Sequence, residues 1–201
     1  MMRNIPFRAL RTDERGATVV EFALVFPVFA FLTMSALDIG YGLYMRSVVA
    51  GTVEAVARKA VVGGMTSAQV DTLIKTQIKR VVPASVRNNA NTIQITKTSY
   101  YNFSNVGQPE KITGDTAPLG VYNVGDCYQD ANRNNLYDTA GGTNGLGGAD
   151  DVLYYQVVVT YPRVFPMAAL AGWSANQTAT VKTLVRNQPY GAQDTPPTRC
   201  N

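Results

Sequence analysis

Past a short polar opening, no side chain from Phe22 to Leu37 carries a charge, and counted from Ala17 the apolar stretch is about 21 residues, roughly 31 Å if helical. That is the thickness of a bilayer's hydrocarbon core. Helical spacing then continues, with Tyr41, Tyr44, Val48, Thr52, Ala55 and Val56 on one side and Arg46, Glu54, Arg58 and Lys59 mostly elsewhere. One helix is therefore expected from about Ala17 to Val62. Pro27 lies inside it, where a missing backbone donor should kink or loosen the helix, and Gly63-Gly64 should end it.

Thr66, Ser67, Ala68 and Gln69 have capping-box spacing, and Val70, Leu73, Ile74, Ile78 and Val81 recur at intervals of three and four up to Pro83. This predicts a second, amphipathic helix. Segments rich in Val, Ile, Thr and Tyr then read as strands at about Asn91–Phe103, Asp151–Pro162 and Asn176–Arg186. The expected fold is α+β: a long N-terminal transmembrane or pilin-like helix, a second helix and a small antiparallel sheet. The expected divisions are a basic leader over 1–16, the helix over 17–62, one extracytoplasmic α+β domain over 63–188, and a polar, Pro-containing tail over 189–201. Between the last two strands, Arg163 to Trp173 is apolar for a surface connection. It either packs under the sheet or against the long helix, or rests on the outer leaflet.

Charge adds topology. Arg3, Arg8, Arg11 and Arg15 precede the apolar stretch and Arg46 is the next basic residue, so the positive-inside rule keeps the N-terminus cytoplasmic and sends the bulk of the chain outward as a single-pass protein. Without the leader's four Arg, Asp13 and Glu14, the net charge falls from +4 to +2, which leaves no nucleic-acid footprint. A conventional signal peptide would have a shorter apolar region; Met34-Ser35-Ala36 could pass as its cleavage site, giving a secreted domain that starts near Leu37. Cys127 and Cys200 both fall on the outward side, where a disulfide closing a loop of about 70 residues would stabilise by roughly 4 kcal/mol on the chain-entropy model. Cys200 could instead stay free or pair between chains.

The lone acid in the apolar stretch is Glu21, five positions after Gly16. A carboxylate at mid-bilayer costs about 2.5–3.5 kcal/mol on insertion scales, so it either snorkels from a shallow position or has a partner. Gly16-Ala-Thr-Val-Val-Glu21-Phe22 matches, at every defined position, the pattern that a prepilin peptidase cuts after glycine in the type IV pilin superfamily. The longer stretch Arg15–Ala60 resembles the TadE-like proteins of the tight-adherence (Flp-type) pilus assembly system. Asp130–Asp138 and the segment from Gly147 to Met167 are similar to members of that family as well. The resemblance implies a minor pseudopilin cleaved between Gly16 and Ala17. The new amino group of Ala17 would be neutralised by Glu21 of a neighbouring subunit, with Phe22 beside it in the assembly segment. The implied partners are the prepilin peptidase, other pilin and pseudopilin subunits, and membrane lipid, with pilus assembly and surface attachment as the process served. An unprocessed single-pass anchor displaying a calcium-stabilised binding or adhesion module is the alternative.

One polar loop carries candidate chemistry. Asp130, Asn132, Asn134 and Asp138 place side-chain oxygens at positions 1, 3, 5 and 9, with the Leu136 carbonyl at position 7, the ligand order of an EF-hand-like calcium loop. Asn135 stands at the usual turn glycine and tolerates a left-handed backbone. Position 12 is Gly141, so the bidentate carboxylate is missing, and Asp150 or Asp151 is expected to supply it. The same residues also suit an Asx-rich turn without metal. Any calcium would be structural. With no histidine and two distant cysteines, the chain lacks the usual catalytic constellations, and its glycine-rich run has no Lys-Ser/Thr after it for phosphate. It reads as a non-enzyme with no small-molecule substrate.

Overall fold

A computed structural model describes residues 16–62, 64–165, 172–188 and 190–200. The leader arginines, Gly63 and residues 166–171 of the apolar connection lie outside the described residues. The architecture is α+β. Helix α1 spans Ala17–Val61 and passes unbroken through Pro27. Helix α2 spans Ser67–Val81, and a single turn, α3, spans Ala84–Arg87. The strands are β1 (Ile93–Tyr100), β2 (Ile112–Gly114), β3 (Cys127–Gln129), β4 (Thr143–Asn144), β5 (Val152–Pro162), β6 (Asn176–Arg186) and β7 (Thr198–Cys200).

The chain forms two compact units. One takes in the chain to Gly42 together with Arg163–Ala175. Within it every residue from Gly16 to Phe29 is exposed, including Val20, Phe22, Leu24 and Phe26, so apart from Thr18 and Glu21 this half of α1 is apolar all round, and no described residue covers it. Asp38 is the exception in character: it is buried, and it pairs with Arg163.

The other unit holds Leu43–Pro162 and Asn176–Asn201. Here α1 buries Met45, Val49, Val53, Val56 and Ala57. This stripe is rotated from the expected one, since Tyr44 and Ala55 are exposed and Val48 and Thr52 are half-buried. The purely aliphatic line takes the interior because it carries no hydroxyl that must be satisfied there; the Thr52 hydroxyl is spent on the Val48 carbonyl, at 2.9 Å. Helix α2 begins in the expected capping box, Gln69 N donating to Thr66 Oγ1 at 3.3 Å and Thr66 N to Gln69 Oε1 at 2.7 Å. It buries Val70, Ile74 and Ile78 and ends at Val82, whose extended backbone is what the following Pro83 demands.

The main sheet is antiparallel in the order β4-β1-β5-β6, with Lys97 opposite Tyr155 and Val157 opposite Val181. Central β5 alternates, with Leu153, Tyr155, Val157, Val159 and Tyr161 buried and the positions between them half-buried. Lys97 is buried in the sheet and reaches the N-terminal part of α2, where its ammonium meets Asp71 at 2.6 Å, Ser67 Oγ at 2.6 Å and Ser67 O at 3.0 Å. Burial, with the Asp71 carboxylate close by, pushes the Tyr155 phenol well up from its ordinary value. Along edge strand β6, Thr178, Thr180 and Lys182 line a groove of about 550 Å³ together with Arg46, Ala50 and Glu54 of α1.

A second, three-stranded sheet has the order β2-β3-β7. Cys127 and Cys200 lie opposite each other in β3 and β7 and form an intramolecular disulfide across 73 residues of chain. The polar tail thus ends in a strand. Strands of two or three residues, set among Gly and Asx, carry no alternation long enough to read from sequence.

Candidate functional site

Two regions carry the residues singled out by sequence. The first is the start of α1. Ala17 opens the helix, and Glu21 projects into the open from its second turn; among the described residues no hydrogen bond or ion pair reaches it. Phe22 stacks on Phe26 one turn later, ring centroids 5.1 Å apart, and both rings are exposed. The result is a carboxylate on an uncovered apolar cylinder.

That cylinder is part of a longer match. Residues 16–58 match the family model described as TadE-like protein. The TadE-like segment therefore begins at Gly16 and takes in nearly all of α1, from its uncovered half through the buried Met45, Val49, Val53 and Val56. Neither a curated protein nor a solved structure matches the chain. The α+β body that follows the TadE-like segment stands on its own geometry.

The second region is the loop that follows β3. Asp130 is fully buried; its Oδ1 accepts from Asn134 N and its Oδ2 from Asn135 N, each at 3.0 Å. Arg199 Nε in β7 approaches Oδ2 at 3.4 Å. Asn132 Oδ1 accepts from Asn134 N at 3.1 Å, and Asn134 Oδ1 from Leu136 N at 2.7 Å. Both amide groups then donate to one oxygen, Asp138 Oδ2, at 2.6 and 2.7 Å. Arg133 and Asn135 take φ of 60° and 65°, so Asn135 adopts the left-handed backbone expected at the turn position.

The carboxylates expected from further along the chain are engaged elsewhere. Asp150 pairs with Arg186 at 3.1 Å. Asp151 accepts from Gly148 N at 2.6 Å and from Gln193 Nε2 at 2.9 Å, although it lines one cavity of about 230 Å³ with Asn132 and Arg133. The carboxylate that does reach the loop is Glu110. It is buried, its Oε1 accepting from Ala131 N at 2.7 Å and its Oε2 from Asp138 N at 3.1 Å, while its own N–H donates to Asp138 O at 2.9 Å. Burial pushes the Glu110 carboxyl above its ordinary value, and the neighbouring Asp130 charge adds to this against the opposing backbone donors. Gly141 is forced by the same packing, since a Cβ there would stand 2.6 Å from Glu110 Cγ. A bidentate glutamate at loop position 12 has no room.

The oxygen set suits a hard cation in kind: two carboxylates, two amides and a carbonyl on one tightly curved loop. Presenting both amides as oxygen ligands requires Asn132 and Asn134 to turn over and release Asp138. Glu110 and Arg199 brace the loop from β2 and β7 sides of the small sheet, and neither was singled out by sequence because each is remote from it in the chain.

Replacing Glu110 by Ala leaves two half-buried backbone N–H groups without their acceptors, so a loss of about 1–3 kcal/mol is expected. Urea unfolding of the detergent-solubilised chain reads the loss, and faster hydrogen exchange at the Ala131 and Asp138 amides locates it. Unchanged exchange at those two amides would show that Glu110 does not hold the loop.

Proposed function

We propose that this chain is a minor pseudopilin of a tight-adherence pilus, held in the inner membrane by the first half of α1 with its N-terminus cytoplasmic, and processed between Gly16 and Ala17. The observation that carries this reading is the conjunction at the start of α1: a glycine, a lone acid five residues on, and an apolar helix with no protein cover, all inside the TadE-like match. Such a helix needs lipid, other helices, or each in turn. A prepilin peptidase would cut after Gly16, and the amino group of Ala17 would pair with Glu21 of a neighbouring subunit, in a medium where either charge alone is unfavourable. The role is structural and non-enzymatic, with pilin and pseudopilin subunits as partners.

We propose also that Asp130, Asn132, Asn134, the Leu136 carbonyl and Asp138 take a structural calcium ion. Its support is the run of oxygen donors on a backbone left-handed at Arg133 and Asn135. The ion would neutralise the Asp138 carboxylate, while Asp130 already faces Arg199.

Three outcomes are expected. Intact mass of the membrane-extracted protein, from cells expressing the matching peptidase, should give a chain starting at Ala17; a retained leader would favour the unprocessed anchor. Glu21→Val should insert normally but reduce incorporation into pili at least about tenfold, the scale of about 1.4 kcal/mol lost per contact between subunits, and normal pili from that variant would remove the role of Glu21. Calcium at saturation should raise the melting temperature by several degrees over the chelated protein. Asp138→Asn should abolish that rise; an identical melt with calcium and with chelator would dispose of the metal.

A further inference from the structure

Asp38 lies 21 residues after Ala17, about 31 Å along the helix, which is one hydrocarbon thickness from the start of the apolar stretch. Its helix neighbours Leu37 and Ile39 are 55% and 58% exposed, whereas Asp38 is 4% exposed. What covers it includes Arg163, from the connection that follows β5 and belongs to the same compact unit. The Arg163 guanidinium pairs with the Asp38 carboxylate through Nη1, donates from Nε to Ser174 O at 2.8 Å, and stands 5.3 Å from the centre of the Trp173 ring. The Arg163 backbone N donates to Ala175 O at 3.0 Å, closing the connection on itself. Beside this fixed point Trp173 is 45% exposed and Val164 54% exposed.

We infer that the Asp38–Arg163 pair marks the outer boundary of the span and holds Trp173 and Val164 against the headgroup and upper acyl region of the outer leaflet. The inference rests on the membrane reading above. Its independent content is a lipid-contacting surface contributed by a segment remote in sequence from the span. The chemistry fits that one occupant. A half-exposed indole with its face on a guanidinium is amphipathic, apolar toward the acyl chains and polar at the N–H, which is why Trp gathers at membrane interfaces. An aspartate at the end of a span is tolerable there if an arginine neutralises it, and a bidentate-capable, weakly hydrated guanidinium does so better than an ammonium. Sliding the helix inward by one turn would carry the ion pair into hydrocarbon, so the pair also works as a depth stop.

Trp173 is the only tryptophan in the chain, which makes the test direct. The full chain is reconstituted into phosphatidylethanolamine–phosphatidylglycerol vesicles whose lipids carry bromine near the carbonyl end or near the methyl end of the acyl chain, and vesicle association is scored by flotation. Trp173 emission should be quenched at least about twofold more by the shallow label than by the deep one, as for an interfacial side chain, and should resist aqueous iodide. Arg163→Gln should lower the shallow quenching and open Trp173 to iodide, and Arg163→Lys should recover part of it. The paired variant Asp38→Asn with Arg163→Gln removes both charges without leaving one unpaired, and it should show the same release. A protein that floats with its tryptophan unquenched by either label and open to iodide overturns the inference while leaving the membrane span in place. Quenching unchanged in both Gln-bearing variants overturns the role of the ion pair. A protein that does not float overturns the membrane reading and this inference with it.

Discussion

The first half of α1 is an apolar helix that no described residue covers, and this constraint sets it apart from the folded body, which buries its own core. Burying a Val, Leu or Phe side chain is worth about 1.5–3 kcal/mol. A run such as Val19, Val20, Phe22, Leu24, Val25 and Phe26, left in water, would forgo as much as the roughly 5–15 kcal/mol that holds an ordinary domain together. No local contact within the chain can offset a deficit of that size. The helix is long and apolar enough to cross a membrane, and a single acid placed on this surface becomes conspicuous because no described residue answers its charge.

What could be read from the sequence follows the range of the interactions. Helices α1 and α2 were legible because their signals are local: an uncharged run, a capping box, an apolar repeat broken by Pro83. Strands β5 and β6, at eleven residues each, were legible for the same reason. The buried stripe of α1 was misjudged by one helical position because Tyr41, Tyr44 and Thr52 count as apolar by spacing, yet their hydroxyls favour the side with water or local partners. The small sheet escaped notice because its strands are too short to show a period, although the disulfide that crosses it was one of the pairings the two cysteines allowed.

At the candidate loop the local ligand order was legible and its support was not. Asp130, Asn132, Asn134 and Asp138 announce themselves within nine residues, and Asn135 adopts the backbone its side chain permits. The carboxylate that fixes the loop comes from Glu110 instead of Asp150 or Asp151, because β2 lies against β3 in the sheet while both aspartates are satisfied by Arg186, Gly148 and Gln193. Arg199 and Arg163 belong to the same class. Each acts on an acid far away in sequence, and no periodicity or spacing records such a contact.

The edges of the main sheet bear on how copies of this chain could come together. At one edge β4 is two residues long and pairs only with Thr98 and Ser99, leaving most of β1 without a strand partner on that side. The other, β6, is long, but it runs beside the groove in which Arg46, Glu54 and Lys182 stand, and an incoming strand would have to settle among those charges. Edge-to-edge pairing along β6 is thereby discouraged, so contact between folded bodies through that edge would have to accommodate charge.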